Sequence, residues 1–187
     1  ANLTFDTAGT ATVVLRVTDD VGATSETSKT VTVLPQAGAT IRSSDADIAV
    51  MGEESAVQLS TDATDVASYR TTLRFDSGVV EVVDVAGGLG GDVETDVRND
   101  RGYVTVGETA PTGRDRPTLA TVTFRAITGE ASETAVRFDR AGTSMRDTSG
   151  ASIPLNEYVD GRVTVAAQTE PTPTPMPTPT PTPEDDA

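Results

Sequence analysis

The side chains able to do chemistry in this 187-residue chain are almost all carboxylates. It carries 29 Asp and Glu against 14 Lys and Arg, and it has no His and no Cys. Ser-His and Cys-His nucleophile pairs are therefore ruled out, as are zinc sites built on His or Cys. Three uses remain for so many acids. The first is glycoside hydrolysis, in which one carboxyl of raised pKa works about 5–9.5 Å from a second. Some pair among 29 acids meets that spacing by chance. Nothing in the chain builds a deep, aromatic-lined cleft around such a pair, so no catalytic residue is assigned. The second use is calcium, which takes hard oxygen ligands. Asp19-Asp20 with Gly22, and Asp45 with Asp47, are the candidates. Neither has the ligand spacing of an EF-hand, which runs through position 12. Both are expected to be solvated turn acids, and no metal or other cofactor is expected. The third use is ion pairing with arginine, either within the chain or with another protein.

Two further motifs are weaker. The run GGLGGD, Gly87 to Asp92, lacks the Lys-Ser/Thr of a phosphate loop and no helical pattern follows it. It is expected to be a mobile loop or a bulge, because glycine tolerates positive φ. Asn2-Leu-Thr4 is an N-glycosylation acceptor, in keeping with an exported protein.

The elements that position these groups read as strands. In YRTTLRFDSGVVEVVDV, Tyr69 to Val85, the odd positions Tyr69, Thr71, Leu73 and Phe75 share one face and the even positions Ser68, Arg70, Thr72 and Arg74 the other. Leu73 and Phe75 are the natural inward pair, which leaves a flat polar face bearing two arginines. Asp-Ser-Gly then turns the chain before a second Val-rich run. Similar runs recur: TIRSSDADIAV, AVQLSTD, GYVTVGE, LATVTFRAI, TAVRFDR and GRVTV. None has helical spacing at length. Short alternating runs separated by Gly and Asp predict an all-β sandwich or jelly roll. With 36% hydrophobic residues and only 4% aromatic, its core must be mainly aliphatic.

Two flanking segments differ. Residues 1 to 35 read as strand, turn, strand. TATVVLRVTDD alternates through Val13, Leu15 and Val17, and TSKTVTVLP alternates through Val31 and Val33 up to Pro35. With Gly9, Asp19-Asp20 and Gly22, this stretch resembles the last strands of a PKD domain, an immunoglobulin-like sandwich of extracellular and archaeal surface proteins. The resemblance implies a partial domain, so the chain is expected to begin inside one; the alternative is a hairpin docked on the next domain. Residues 167 to 187 end in alternating Thr and Pro. Proline has no N–H to donate, so an extended polyproline II linker or stalk, disordered in the globular sense, is expected.

Charge narrows the partners. The net charge is -15, and Lys29 is the only lysine. Nucleic acid and anionic membrane surfaces are poor partners without clustered cations. No apolar run reaches the ~18 residues of a membrane span, so no membrane insertion is expected. An acidic, arginine-over-lysine, aromatic-poor composition resembles that of haloarchaeal proteins. In molar salt the Debye length falls to about 3 Å and such self-repulsion is screened.

The main body, residues 39 to 166, resembles the cohesin family, the modules that receive dockerins in cellulosomes and related assemblies. The resemblance rests on Leu73-Arg-Phe75-Asp76, the Ser77-Gly78 turn and Val80-Glu81-Val82, then on LATVTFRAITGE from Leu119 and DGRVTV from Asp160, in that order and spacing. It implies a jelly-roll sandwich of about nine strands, no catalysis, an extracellular or cell-surface location and a dockerin-bearing partner held on one sheet face. It places the family's Asn position at Ser68, its Asp position at Arg70 and its Glu position at Glu108, so one of three acceptors is kept. The expected binding face is Ser68, Arg70, Thr72 and Arg74 beside Glu94, Arg98 and Glu108. A carbohydrate-binding module of the same fold, taking polysaccharide on Tyr103, is the alternative, and a purely structural spacer the third reading.

Overall fold

Alternation of Val, Thr and Leu with polar residues sets the strands, because branched side chains pack well on a pleated, half-buried surface. The computed structural model describes residues 9–33 and 38–168. Asn2, residues 34–37 and residues 169–187, with most of the Thr/Pro segment, lie outside them.

Strands β1 (Gly9–Thr18) and β2 (Thr24–Val33) form an antiparallel hairpin in unbroken register from Gly9–Val33 to Thr18–Thr24. Among the described residues these two strands pair only with each other. The expected strand, turn and strand are present, but Leu15 and Val17 remain more than half exposed. Asp19 makes the turn: its Oδ1 accepts from the N–H of Val21 and of Ala23.

The sandwich comprises β3 (Ala39–Ser43), β4 (Ala46–Ile48), β5 (Glu54–Thr61), β6 (Val66–Arg74), β7 (Val80–Gly87), β8 (Asp92–Arg98), β9 (Tyr103–Arg114), β10 (Thr118–Ala126), β11 (Ser132–Phe138), β12 (Ser144–Asp147), β13 (Leu155–Val159) and β14 (Gly161–Val165). One sheet has the order β13-β3-β5-β10-β7. The other runs β4-β14-β11-β6-β9-β8, with β12 also on β6. The expected all-β jelly-roll sandwich is thus present. The number of segments exceeds nine partly because two lines of strand are interrupted. TIRSSDADIAV is not one strand: β3 lies in the first sheet and β4 in the second, with the break at Ser44-Asp45. Likewise β11 and β12 both pair with β6, separated by a short 3-10 turn at Arg140–Gly142.

The core is aliphatic with a few rings. Ile41, Val57, Leu59, Leu73, Val104, Val106, Val122, Phe124, Val136 and Val163 are fully buried. Phe75 meets Phe124 edge-on, with centroids 5.3 Å apart, joining the two sheets. The Tyr69 hydroxyl crosses the same interior to donate to the Leu119 carbonyl at 2.7 Å. The Asp-Ser-Gly turn carries the chain from β6 in one sheet to β7 in the other; the Asp76 carboxylate accepts from the Gly78 N–H and the Asp76 carbonyl from Val79. The DGRVTV run closes the fold: Asp160 accepts from the Phe138 N–H, and Val163 and Val165 point inward.

Candidate functional site

The seven-stranded sheet has an outer face whose layout follows from register alone. Residues directly opposite on paired antiparallel strands point the same way. Across β8, β9 and β6, Asp92 lies beside Thr109 and Ser68, Glu94 beside Gly107 and Arg70, Asp96 beside Thr105 and Thr72, and Arg98 beside Tyr103 and Arg74. Beyond β6, Arg146 faces Ser68, Ser144 faces Arg70 and Arg137 faces Arg74. Six of the seven residues expected on a binding face therefore stand on one surface: Ser68, Arg70, Thr72, Arg74, Glu94 and Arg98. The inward set is as expected too, with Tyr69, Thr71, Leu73 and Phe75 all buried.

Charge is divided across this surface. The edge strand β8 supplies Asp92, Glu94 and Asp96, while β6, β11 and β12 supply Arg70, Arg74, Arg137 and Arg146. Local pairing is partial. Arg70 stands 3.6 Å from Glu94, Arg98 2.8 Å from Asp96, and Arg74 3.0 Å from Asp139. The Arg74 hydrogen bond holds the Asp139 carboxyl below the usual range, helped by the backbone N–H groups of Gly142 and Ala141. Arg146 donates to the Gly150 carbonyl. Neither Arg137 nor Arg146 has a carboxylate partner among the described residues. Between the charges, the Thr72 and Thr105 hydroxyls bond each other at 2.8 Å and keep the middle of the face polar and low. Two clefts indent it. One, of about 400 Å³, lies over Gly107 between Arg70, Arg146 and Glu94. The other, of about 370 Å³, lies beside Arg74 and Arg137.

Glu108 is the correction. It was expected on this face, but its side chain is buried at 2% exposure. It pairs in register with Tyr69 and so points inward with Val104 and Val106. One carboxylate oxygen accepts from the N–H groups of Gly88 and Leu89 and the other from Gly91, all at 2.8–2.9 Å. The same contacts bear on GGLGGD, expected as a mobile loop or a bulge: it is a bend tied down by hydrogen bonds. Leu89 is buried, its carbonyl takes Arg114 Nε, and the Gly88 N–H also reaches the Leu119 carbonyl. A Cβ on Gly91 would strike the Thr109 carbonyl oxygen. The run is a pinned bend under this outer face. Burial, and then the Glu108 charge, push the Tyr69 phenol well above its ordinary pKa.

Arg137, Arg146, Asp92, Asp96, Thr105, Thr109 and Ser144 were missed as members of the face. Alternation was the available signal: Val136 and Phe138 inside put Arg137 outside, and Met145 inside puts Arg146 outside. Which strand each would lie beside is not carried by periodicity. Among the described residues no group of three or more Asp or Glu is arranged to hold a metal ion. Among the described residues no helix is long and apolar enough to cross a membrane.

Comparison with known proteins agrees with this architecture. Among solved structures, a non-cellulosomal cohesin from the hyperthermophilic archaeon Archaeoglobus fulgidus is 23% identical with a TM-score of 0.59, the match covering 70% of this chain and 93% of that one. The third ScaC cohesin of Acetivibrio cellulolyticus, solved in complex with the ScaB dockerin, is 17% identical with a TM-score of 0.60, covering 69% and 99%. A cohesin module of a Clostridium perfringens family 33 glycoside hydrolase is 12% identical with a TM-score of 0.55, covering 70% and 97%. At these identities the likeness establishes the fold. No curated protein matches the chain. The family model for the cohesin domain matches residues 54–165, well over half of the sequence. The chain belongs to the cohesin domain family.

Proposed function

We propose that this cohesin is a non-catalytic, extracellular or cell-surface docking module, and that its partner is a dockerin-bearing protein held on the outer face of β8, β9, β6, β11 and β12. The observation that carries the reading is the convergence of six expected residues, Ser68, Arg70, Thr72, Arg74, Glu94 and Arg98, on one polar surface over a rigid interior. A specific complex there would bury about 1,200–2,000 Å² in total. Arginine suits such a face because its planar fork binds carboxylates bidentately. The solved ScaC cohesin bound to the ScaB dockerin supports a partner of the same class. The β1–β2 hairpin fits the closing part of a PKD-like domain, and the Thr/Pro segment fits a stalk. The acidic composition suits a haloarchaeal surface.

The test is binding of a panel of dockerin modules to the immobilised full chain, in dilute and in molar KCl. We expect at least one to be retained and to be lost on Thr105→Trp, which raises a bulky ring from the middle of the face. Failure of every dockerin to bind would sink the reading. The alternative of polysaccharide binding has one observation in its favour, the Tyr103 ring between Arg98 and Arg74. Polysaccharide retention that disappears in Tyr103→Ala would select it over docking.

A further inference from the structure

On one flank the two sheets end in β7 and β8, strands that follow each other in the chain. β7 is guarded there. A bulge at Val83 interrupts its register with β10. At Val82 the Asn99 amide covers its outer edge as a neighbouring strand would, accepting from the N–H at 2.8 Å and donating to the carbonyl at 2.9 Å. β8 has neither device. It runs in unbroken register with β9 from Asp92–Thr109 to Arg98–Tyr103, and no strand pairs its other edge among the described residues. The N–H and C=O groups along that edge are a template for one more strand.

The sandwich is also open behind this edge. Val93, Thr95 and Val97 stand in register with Glu108, Val106 and Val104, so they point inward. Those three β9 residues are buried, yet Val93 stays 40% and Val97 38% exposed. Thr95 and Val97 line a slot of about 330 Å³ with Val82, Val83, Asp84 and Val85 of β7. The opposite flank of the same sheet is closed: its last strand, β4, has only three residues, and Ala46 and Ile48 on it are buried.

Charge decides what strand fits. Asp84, Asp92, Glu94, Asp96 and Asp100 stand here against Arg70, Arg98 and Arg101. The arginines pair with Glu94, Asp96 and Asp100, which leaves Asp84 and Asp92 without a cation among the described residues. Full antiparallel pairing of two β8 strands, Asp92 against Arg98, would set Glu94 of each copy against Asp96 of the other, so a second copy is disfavoured. We infer that the β8 edge accepts an extended segment of another protein in which Lys or Arg alternates with aliphatic residues. The cations lie beside Asp92, Glu94 and Asp96, and the aliphatic side chains close the slot next to Val93 and Val97. Main-chain bonds supply the affinity and the alternate side chains the choice of partner. The site is the edge of the sheet and not its outer face, so it does not rest on the docking reading.

The test is calorimetric titration of the full chain with a synthetic peptide as long as β8, seven residues, alternating Val and Lys. A second peptide has the same residues in two blocks. The buffer is set at about 0.15 M ionic strength, where charges beyond about 8 Å are screened. The alternating peptide should bind about tenfold or more tighter than the block peptide, and it should slow amide exchange in β8 but not in β1 or β2. N-methylation of every second peptide nitrogen should abolish binding in one phase and spare it in the other, because only alternate N–H groups of an added strand face β8. Val97→Lys and Asp92→Lys should each weaken binding by about tenfold or more at unchanged Tm, and a peptide with Glu for one Lys should recover binding to Asp92→Lys. Equal binding of the block peptide, or of both N-methylated phases, would reduce the interaction to charge attraction and overturn the proposal. So would the absence of binding to the folded chain. Self-association of the chain that protects the β8 amides would give the edge to a second copy and overturn the assignment to another protein.

Discussion

The sandwich has two outer faces, and they treat charge differently. On the five-stranded sheet the surface over β5 and β10 is small and neutral: Gln58, Thr121 and Ala86 make one row, and Ala56 and Thr123 lie in the next, which ends on the exposed Asp84 of β7. Arg125 is satisfied at home, donating through Nε and Nη2 to Glu81 Oε1 at 2.9 and 2.6 Å, with Glu54 at 4.0 Å on its other side; Arg42 on β3 is exposed and has no carboxylate partner among the described residues. The seven-stranded sheet instead collects four arginines on β6, β11 and β12, sets three acids on β8 and leaves Arg137 and Arg146 without a carboxylate. Self-contained charge belongs to a wall. Charge held apart, over clefts and on a pinned floor, is what the proposed docking surface would offer a partner.

The largest way to break that contrast is from beneath. Glu108 has no counterpart among the residues named under the five-stranded face; it ties the Gly88–Gly91 bend to β9. Glu108→Ala would leave the Leu89 and Gly91 N–H groups without their acceptor, while Gly88 keeps the Leu119 carbonyl, at about 1–3 kcal/mol for each donor left buried and unmet. Chemical denaturation should show a loss of several kcal/mol and accelerated amide exchange confined first to the bend. Glu108→Gln keeps one acceptor oxygen and should lose about half as much. If Glu108→Ala were as stable as the parent, the bend would not support the face.

Much of this contrast was legible in the chain, and Glu108 shows where legibility stopped. Strand alternation sorted Ser68 to Phe75 correctly onto two faces, because one side of β6 is packed and the other is not. The same rule applied to VTVGE puts Glu108 in step with Val104 and Val106, hence inside. The family resemblance pointed outward and was the poorer guide, because it assigns a role to a position without asking which way this side chain faces. What alternation could not reveal is the set of N–H groups that makes a buried carboxylate tolerable; they lie about twenty residues earlier in a run that looks like a free loop. For the same reason Arg137 could be read as exposed but not as the neighbour of Arg74. Cross-strand partners far apart in sequence are set by sheet order, which the β3–β4 break and the β6–β7 crossing also decide.

A second prediction concerns the pin between the sheets. Tyr69→Phe removes the hydroxyl and leaves the Leu119 carbonyl without that donor, a loss of about 1 kcal/mol. It should also change the alkaline behaviour. Burial raises the folded phenol pKa above its ordinary value of 10.0. The stabilisation is therefore complete below pH 10.0 and is lost as pH rises toward the folded value, by up to about 1.4 kcal/mol per pH unit. Urea titrations between pH 9 and 11.5 should show a steeper fall in the parent than in Tyr69→Phe. Equal slopes would mean that the phenol is not protected inside the sandwich.

Smaller still, and most direct, is a matched pair of arginine deletions, one on each face. Arg125→Ala removes a half-exposed ion pair with two donor contacts and should reduce stability by no more than about 1 kcal/mol. Arg137→Ala removes a charge that faces Arg74 with no carboxylate of its own, so stability should be unchanged or rise by a few tenths of a kcal/mol. Opposite signs from two exposed arginines in the same sandwich are hard to obtain unless one serves the fold and the other does not. Acid titration sharpens the point. Arg74 holds the Asp139 carboxyl low, so that contribution is present above the ordinary aspartate value of 3.8 and is lost as pH falls through the lowered one. Arg74→Ala should weaken this acid-side dependence, the Gly142 and Ala141 N–H groups keeping part of it, whereas Arg137→Ala should leave it in place, because Arg74 and not Arg137 makes the hydrogen bond to Asp139. If instead Arg137→Ala destabilises the chain as much as Arg125→Ala does, both faces keep their charge for internal use, and the difference between wall and docking surface disappears.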